Sequence, residues 1–169
     1  MLNNIYTKIF IIVLIFFCLY SCKNSNSNFL AKTINDLNIE KNKYKTFVFI
    51  ALDPECPLSQ SYTKKINDII DSYNDKAFFV NFIPGNHYNT ERVNLFINKY
   101  NLNGKIYIDQ NLKLTKIFDA TVVPESFVLN EDYELVYKGL IDDWVGEIGR
   151  TKQYTKNNYL IDAIKSSIN

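Results

Sequence analysis

The stretch Phe47-Val-Phe-Ile-Ala-Leu-Asp-Pro-Glu-Cys-Pro-Leu-Ser-Gln-Ser-Tyr62 decides the fold. It opens as an unbroken apolar run of β-branched and aromatic residues, the pattern of a strand buried on both faces. It breaks at Asp53-Pro54 and presents Cys56 followed by Pro57. Apolar residues then fall at Leu58, Tyr62, Ile66, Ile69, Ile70 and Tyr73, which is helical spacing with one face turned inward. A cysteine therefore stands where a buried strand hands over to a helix. Pro57 suits the first helical position, where its missing N–H costs nothing. The amides of Leu58 and Ser59 have no partner inside such a helix and can point back at the sulfur. A thiolate there gains from those donors and from the positive helix end. The alternative is a small apolar side chain that merely ends a strand.

Working outward, the sequence of 169 residues is long enough for one domain with a real core. Lys8 precedes an apolar run over residues 9–19, too short to span a bilayer comfortably and suited to a signal-peptide core. The run ends in Leu19-Tyr-Ser-Cys22, which resembles the bacterial lipoprotein processing box, with Tyr20 bulkier than usual. That resemblance implies a leader over residues 1–21, lipid on Cys22 and a polar Asn/Ser-rich tether over 22–29. It implies a domain over 30–169 held at the bacterial cell envelope, facing periplasm or exterior. An uncut membrane anchor with an ordinary Cys22 thiol is the alternative.

Removing the leader takes away Lys8 and no acid, so 19 basic residues become 18 against 18 acidic. Such balance gives no electrostatic reason to expect nucleic acid or an anionic lipid surface as partner. Of three cysteines, Cys18 leaves with the leader and Cys22 carries lipid, which makes Cys56 the one free thiol.

Further along, residues 33–39 suggest a short edge strand, and residues 77–83 a second buried strand. Strand, long helix and strand make a βαβ unit with parallel pairing. The loop Pro84-Gly-Asn-His-Tyr-Asn89 then falls at the same sheet end as Cys56. It holds His87, which reads as a solvated loop residue, with a proton-carrying or metal-ligating role as the alternative. Thr90 is placed to cap a helix over 90–100 with Val93, Phe96 and Ile97 inward. A short strand over 105–108 and a short helix over 112–118 follow. In Ala120-Thr-Val-Val-Pro-Glu-Ser-Phe-Val-Leu129 a proline stands at the mouth of a strand over 126–130, the place for a special backbone such as a cis peptide. A hairpin strand over 133–139, an irregular loop over 140–154 and a helix capped by Thr155 complete the chain.

Three segments resemble the thioredoxin-like superfamily: Glu55-Cys-Pro-Leu-Ser59, Val122-Val-Pro-Glu-Ser-Phe-Val-Leu129 and Tyr137-Lys-Gly-Leu-Ile-Asp-Asp143. The inserted strand-helix segment is similar to the redoxin branch, which holds the alkyl hydroperoxide reductase/thiol-specific antioxidant proteins and membrane-tethered thioredoxin-like proteins. The resemblance implies an α/β fold with a central mixed sheet flanked by helices. It makes Cys56 the nucleophile, puts Ser59 where a second cysteine stands, and makes Pro124 the cis-proline facing the thiol. Pro57 and Val123 become substrate contacts. No cofactor or metal is implied: copper-delivery relatives use Cys-x-x-x-Cys, and Gln60 breaks that pattern.

Two departures qualify the activity. Ser59 cannot resolve a mixed disulfide as a second thiol would. The peroxidase signature Pro-x-x-x-Thr-x-x-Cys meets Phe49 and Asp53 here, and acids at Asp53 and Glu55 oppose thiolate formation. Arg92 and Arg150, the two arginines, have no place fixed by the sequence. The leading expectation is an envelope thiol-disulfide oxidoreductase acting on protein or small-molecule thiols and disulfides, resolved by an external thiol. A one-cysteine peroxidase and a non-catalytic binding module are the alternatives.

Overall fold

The computed structural model describes residues 43–145 and 152–169, with Lys8, Phe10, Leu30 and Lys32 as isolated positions. The chain divides into two units, Met1–Asn38 and Ile39–Asn169, and the sheet with its helices belongs to the second. The processing box at 19–22, the tether, the strand expected over 33–39 and Arg150 lie outside the described residues.

Strand β1 (Thr46–Ala51) is buried at every position, as its continuous apolar run requires. It is central because both edges are paired: parallel to β2 (Ala77–Pro84) and antiparallel to β4 (Glu125–Leu129). Outside these lie β3 (Lys105–Asp109), parallel to β2, and β5 (Leu135–Gly139), antiparallel to β4. The order β3-β2-β1-β4-β5 makes a mixed five-stranded sheet. Helices α1 (Pro57–Tyr73), α2 (Thr90–Tyr100), α3 (Lys113–Ile117) and α4 (Tyr159–Ile168) connect and flank it. The segment between the two halves thus contributes α2 and β3, which extend the sheet by one strand.

Alternation along β1 divides the core between the two sheet faces. Val48, Ile50 and Leu52 join Ile66, Ile69 and Ile70 of α1, Phe96 of α2, and Leu160 and Ile164 of α4. On the other face Phe49, Phe82 and Phe127 gather around Phe118, whose ring stacks on Phe127 at 4.6 Å between centroids. Burying one such side chain stabilises by roughly 2–3 kcal/mol, so these two clusters carry the fold.

Local chemistry moves several expected boundaries. Leu58 is 38% exposed rather than inward, and Ser59 takes the buried place one position on. The apolar stripe of the helix therefore starts at Tyr62. Asn89, not Thr90, caps α2, its side chain accepting the Arg92 amide at 2.9 Å. Thr155 caps nothing: α4 starts at Tyr159 after Asn158. The hairpin strand begins at Leu135, because the Asn130 side chain gathers the amides of Asp132 and Glu134 and Tyr133 takes a positive φ of 60°. Within α4, Leu160 and Ile164 are buried and Ile161 is only partly so.

Candidate active site

The parallel strands β1, β2 and β3 end together, and β4 begins beside them, with Glu125 opposite Ala51. Chemistry in such sheets collects at this end because the connecting loops can turn their side chains over it. Here the loop from β1 to α1 brings Cys56, and the loop before β4 brings Pro124.

Cys56 is the N-cap of α1, with extended backbone (φ −73°, ψ 119°), and Pro57 is the first helical residue. Its carbonyl accepts the first helical bond from Gln60 at 3.0 Å. No side chain caps the helix, so the early amides keep no internal acceptor. The thiol is half-buried, and its Sγ lies 3.8 Å from the Val123 carbonyl oxygen. The Val123–Pro124 peptide is cis. The two stretches singled out in the sequence therefore meet at one point. Val123 is half-buried and Pro57 exposed, while Pro124 is buried beneath the rim.

Ser59 is fully buried, and its hydroxyl oxygen accepts the Asp53 amide at 3.1 Å. Its side chain therefore holds the loop that carries the thiol. Asp53 in turn organises that loop: Oδ1 accepts the amides of Glu55 at 2.7 Å and Cys56 at 3.2 Å. An aspartate followed by two such amides is an Asx turn, for which Asp53-Pro54 was a visible signal. Gln60 donates from Nε2 to the Pro54 carbonyl at 2.8 Å, and Tyr100 donates to Gln60 Oε1 at 2.9 Å.

Two further residues reach the loop from the segment after β2. Tyr88 donates its hydroxyl to Asp53 Oδ1 at 2.8 Å, and Arg92 pairs with Glu55 at 2.9 Å. Burial first, then the Asp53 carboxylate, pushes the Tyr88 hydroxyl up to about 12. Both acids expected to oppose thiolate formation thus have donors of their own. Nothing local in the sequence pairs position 88 with position 53. The only signal was that both loops share a sheet end. His87, in the same loop, is exposed. Glu125, missed in the sequence, is buried next to Pro124, and its Oε2 accepts the Thr121 amide at 2.9 Å.

The segment after β5 braces α1 from the side. Buried Asp142 accepts the Tyr62 hydroxyl at 2.6 Å and the Trp144 amide at 2.9 Å, and pairs with Lys65. Asp143 accepts the Asn157 amide, the Lys152 ammonium and the Lys156 amide, which in that order hold its carboxyl well below the usual carboxylate range. Among the described residues no group of three or more His, Cys, Asp or Glu is placed to hold a metal.

A mixed sheet flanked by helices, with a cysteine at a helix start beside a cis-proline at one sheet end, is the thioredoxin-like fold, and solved structures of that fold match this chain. A secreted Mycobacterium tuberculosis disulfide oxidoreductase homologous to Escherichia coli DsbE aligns at TM-score 0.54 and 15% identity, over 72% of this chain and 81% of its own. StoA from Bacillus subtilis aligns at 0.53 and 24%, over 59% and 75%. The thioredoxin domain of a Bacteroides vulgatus thiol-disulfide oxidoreductase aligns at 0.56 and 10%, over 75% and 81%. No protein-family model and no curated protein matches the sequence.

Proposed function

We propose that this chain is a thiol-disulfide oxidoreductase that works through Cys56 alone. The observation that carries the reading is the sulfur's position. It sits on an uncapped helix start, 3.8 Å from the carbonyl that precedes cis-Pro124. The Cys56 thiolate attacks one sulfur of a partner disulfide. The partner S–S bond breaks, a Cys56–partner S–S bond forms, and the released partner sulfur leaves with the electron pair and takes a proton. An external thiolate then attacks the partner sulfur: an external–partner S–S bond forms, the Cys56–partner bond breaks, and Cys56 leaves as thiolate with the electron pair. A second external thiol attacks that new disulfide, frees the partner thiol and ends in a disulfide with the first, so the two external thiols are oxidised as the partner is reduced. When Cys56 ionises, the Val123 carbonyl loses its S–H donor, and the N–H of an extended substrate can take that place as an added strand. Exposed Pro57, Leu58 and Val122 offer apolar contact around it.

Asp53, at the position where a peroxidase carries its threonine, offers a carboxylate engaged by two amides and the Tyr88 hydroxyl instead of a free hydroxyl, and Arg92 is engaged by Glu55. The disulfide reading is therefore preferred to peroxide chemistry. One observation favours a binding module instead: the Ser59 hydroxyl, where a resolving thiol would stand, is committed to the Asp53 amide. We place the domain at the bacterial envelope through lipid on Cys22, supported by the sequence Leu19-Tyr-Ser-Cys22.

The deciding experiment mixes the full chain with a disulfide-bonded peptide and follows mixed-disulfide formation by mass. The expected result is a covalent adduct on Cys56, released by added glutathione and absent in Cys56→Ser. Peptide binding without an adduct, retained by Cys56→Ser, would establish the binding module.

A further inference from the structure

The segment inserted after β2 does more than widen the sheet: it delivers donors to both acids that flank the thiol. We propose that Tyr88 is a positioning residue for Cys56, acting through Asp53. This rests on the reading of Cys56 as the reactive thiol.

Asp53 Oδ1 receives three donors. Two are amides of its own turn and would follow wherever the turn goes. The third, the Tyr88 hydroxyl, comes from a residue 35 positions away and fixes the turn to the sheet end. It lies on the oxygen that also touches the Cys56 amide. A donor on that oxygen draws its negative charge away from the sulfur, and its half-buried ring keeps water from it. Without the hydroxyl, the carboxylate beside the thiol is held by the two local amides alone, and ionising Cys56 costs more.

The other groups around the sulfur do not replace it. Glu55, on the same loop, is half-exposed and paired with Arg92 of α2. Glu125, on β4, turns its carboxylate to the Thr121 amide. The Val123 carbonyl adds a negative dipole, and α1 contributes Ser59, whose oxygen is filled by the Asp53 amide. His87 is exposed in the Tyr88 loop. Among these, Tyr88 is the neutral donor aimed at the acid nearest the Cys56 backbone.

The test is the rate of Cys56 alkylation by iodoacetamide against pH, read on the Cys56 peptide by mass, in the full chain with Tyr88→Phe, Asp53→Asn and both together. Tyr88→Phe should slow alkylation at neutral pH about three- to tenfold and displace the pH–rate profile upward, as expected for an acid less well countered. Asp53→Asn should speed it, and Tyr88→Phe should then change nothing further. A Tyr88→Phe profile superimposed on the parent would overturn the proposal. So would an equal slowing in the Asp53→Asn background, or an Asp53→Asn profile that does not move. The last comparison stands even if Tyr88→Phe does not fold. Alkylation reads the thiol whether or not any disulfide is turned over. A protein that makes no mixed disulfide yet shows these shifts loses the proposed activity and keeps this inference.

Discussion

Asp53 and Asp109 both stand at the C-terminal ends of parallel strands and both lead into helices, yet they treat the helix start in opposite ways. Asp109 closes it. Its carboxylate, 1% exposed, accepts the amides of Lys113, Leu114 and Thr115 and the Thr115 hydroxyl, so the orphan donors of α3 are consumed. Asp53 stops short. It takes the amides of Glu55 and Cys56, both upstream of α1, and leaves the donors inside the helix without a side-chain acceptor. The same residue type at equivalent ends of one sheet serves stability in one case and availability in the other. Each precedes the first residue of its helix by four positions, so what distinguishes them is the residue that stands there. Lys113 has an amide for Asp109 to accept. Pro57 has none, and Asp53 Oδ1 is filled by the Glu55 and Cys56 amides and the Tyr88 hydroxyl.

The largest effect expected from this contrast is at the closed turn. Asp109→Ala leaves one buried and three part-buried donors without their acceptor and should lower the unfolding free energy by about 3 kcal/mol, measured by urea denaturation. Alkylation of Cys56 in the folded fraction should be unchanged. A comparable loss of thiol reactivity would mean that the two turns are not independent.

A third carboxylate, Asp143, sharpens the contrast because it too is fully committed, one oxygen to the amides of Lys156 and Asn157 and the other to the Lys152 ammonium. Its carboxyl is held low in the folded protein, so its stabilising contribution is present above the ordinary carboxylate value of about 3.9 and disappears as pH falls below it. The melting temperature of Asp143→Asn should therefore fall less steeply than the parent's between about pH 5 and pH 2. Parallel melting curves would remove Asp143 from the acid limb.

Ser59→Ala should cost about 1–2 kcal/mol, because it leaves the Asp53 amide unpaired in a buried place. Indifference in the same urea titration would mean that the open turn holds itself. The smallest effect should come from Cys56→Ala. Its side chain caps nothing, so stability should change by less than about 1 kcal/mol. A larger loss would make the cysteine a structural element and erase the difference between the turns.

Much of this architecture was legible because it is local. The run at 46–51 announced a central strand, the spacing 62, 66, 69, 70 announced α1, and Pro124 at a strand mouth announced the special peptide. The α/β class followed from the strand-helix-strand pattern, while the facing of Cys56 and Pro124 was implied only by the resemblance to the thioredoxin-like superfamily. What was not legible depends on contacts between distant residues. Tyr88 is one aromatic among 12 tyrosines, and only the sheet brings it to Asp53. Leu58 reads as core by spacing, but the inward place in the first turn of α1 belongs to Ser59, whose oxygen takes the Asp53 amide. Asn89 and Thr90 are both good caps, and a single backbone angle decides between them. Glu125, a charged residue, gave no sign that Thr121 would receive it in the interior.

Ser59 differs from a cysteine at that place by one atom, but the exchange is not free in either direction. Its oxygen is the acceptor that secures the Asp53 amide, and sulfur is a poorer acceptor with a longer reach. A Ser59→Cys chain gains a second thiol and slackens the loop that aims the first. The hydroxyl therefore works as a ratchet. Once the loop leans on it, a two-thiol site can be regained only through a less well-held intermediate, unless a second substitution elsewhere first takes over the Asp53 amide.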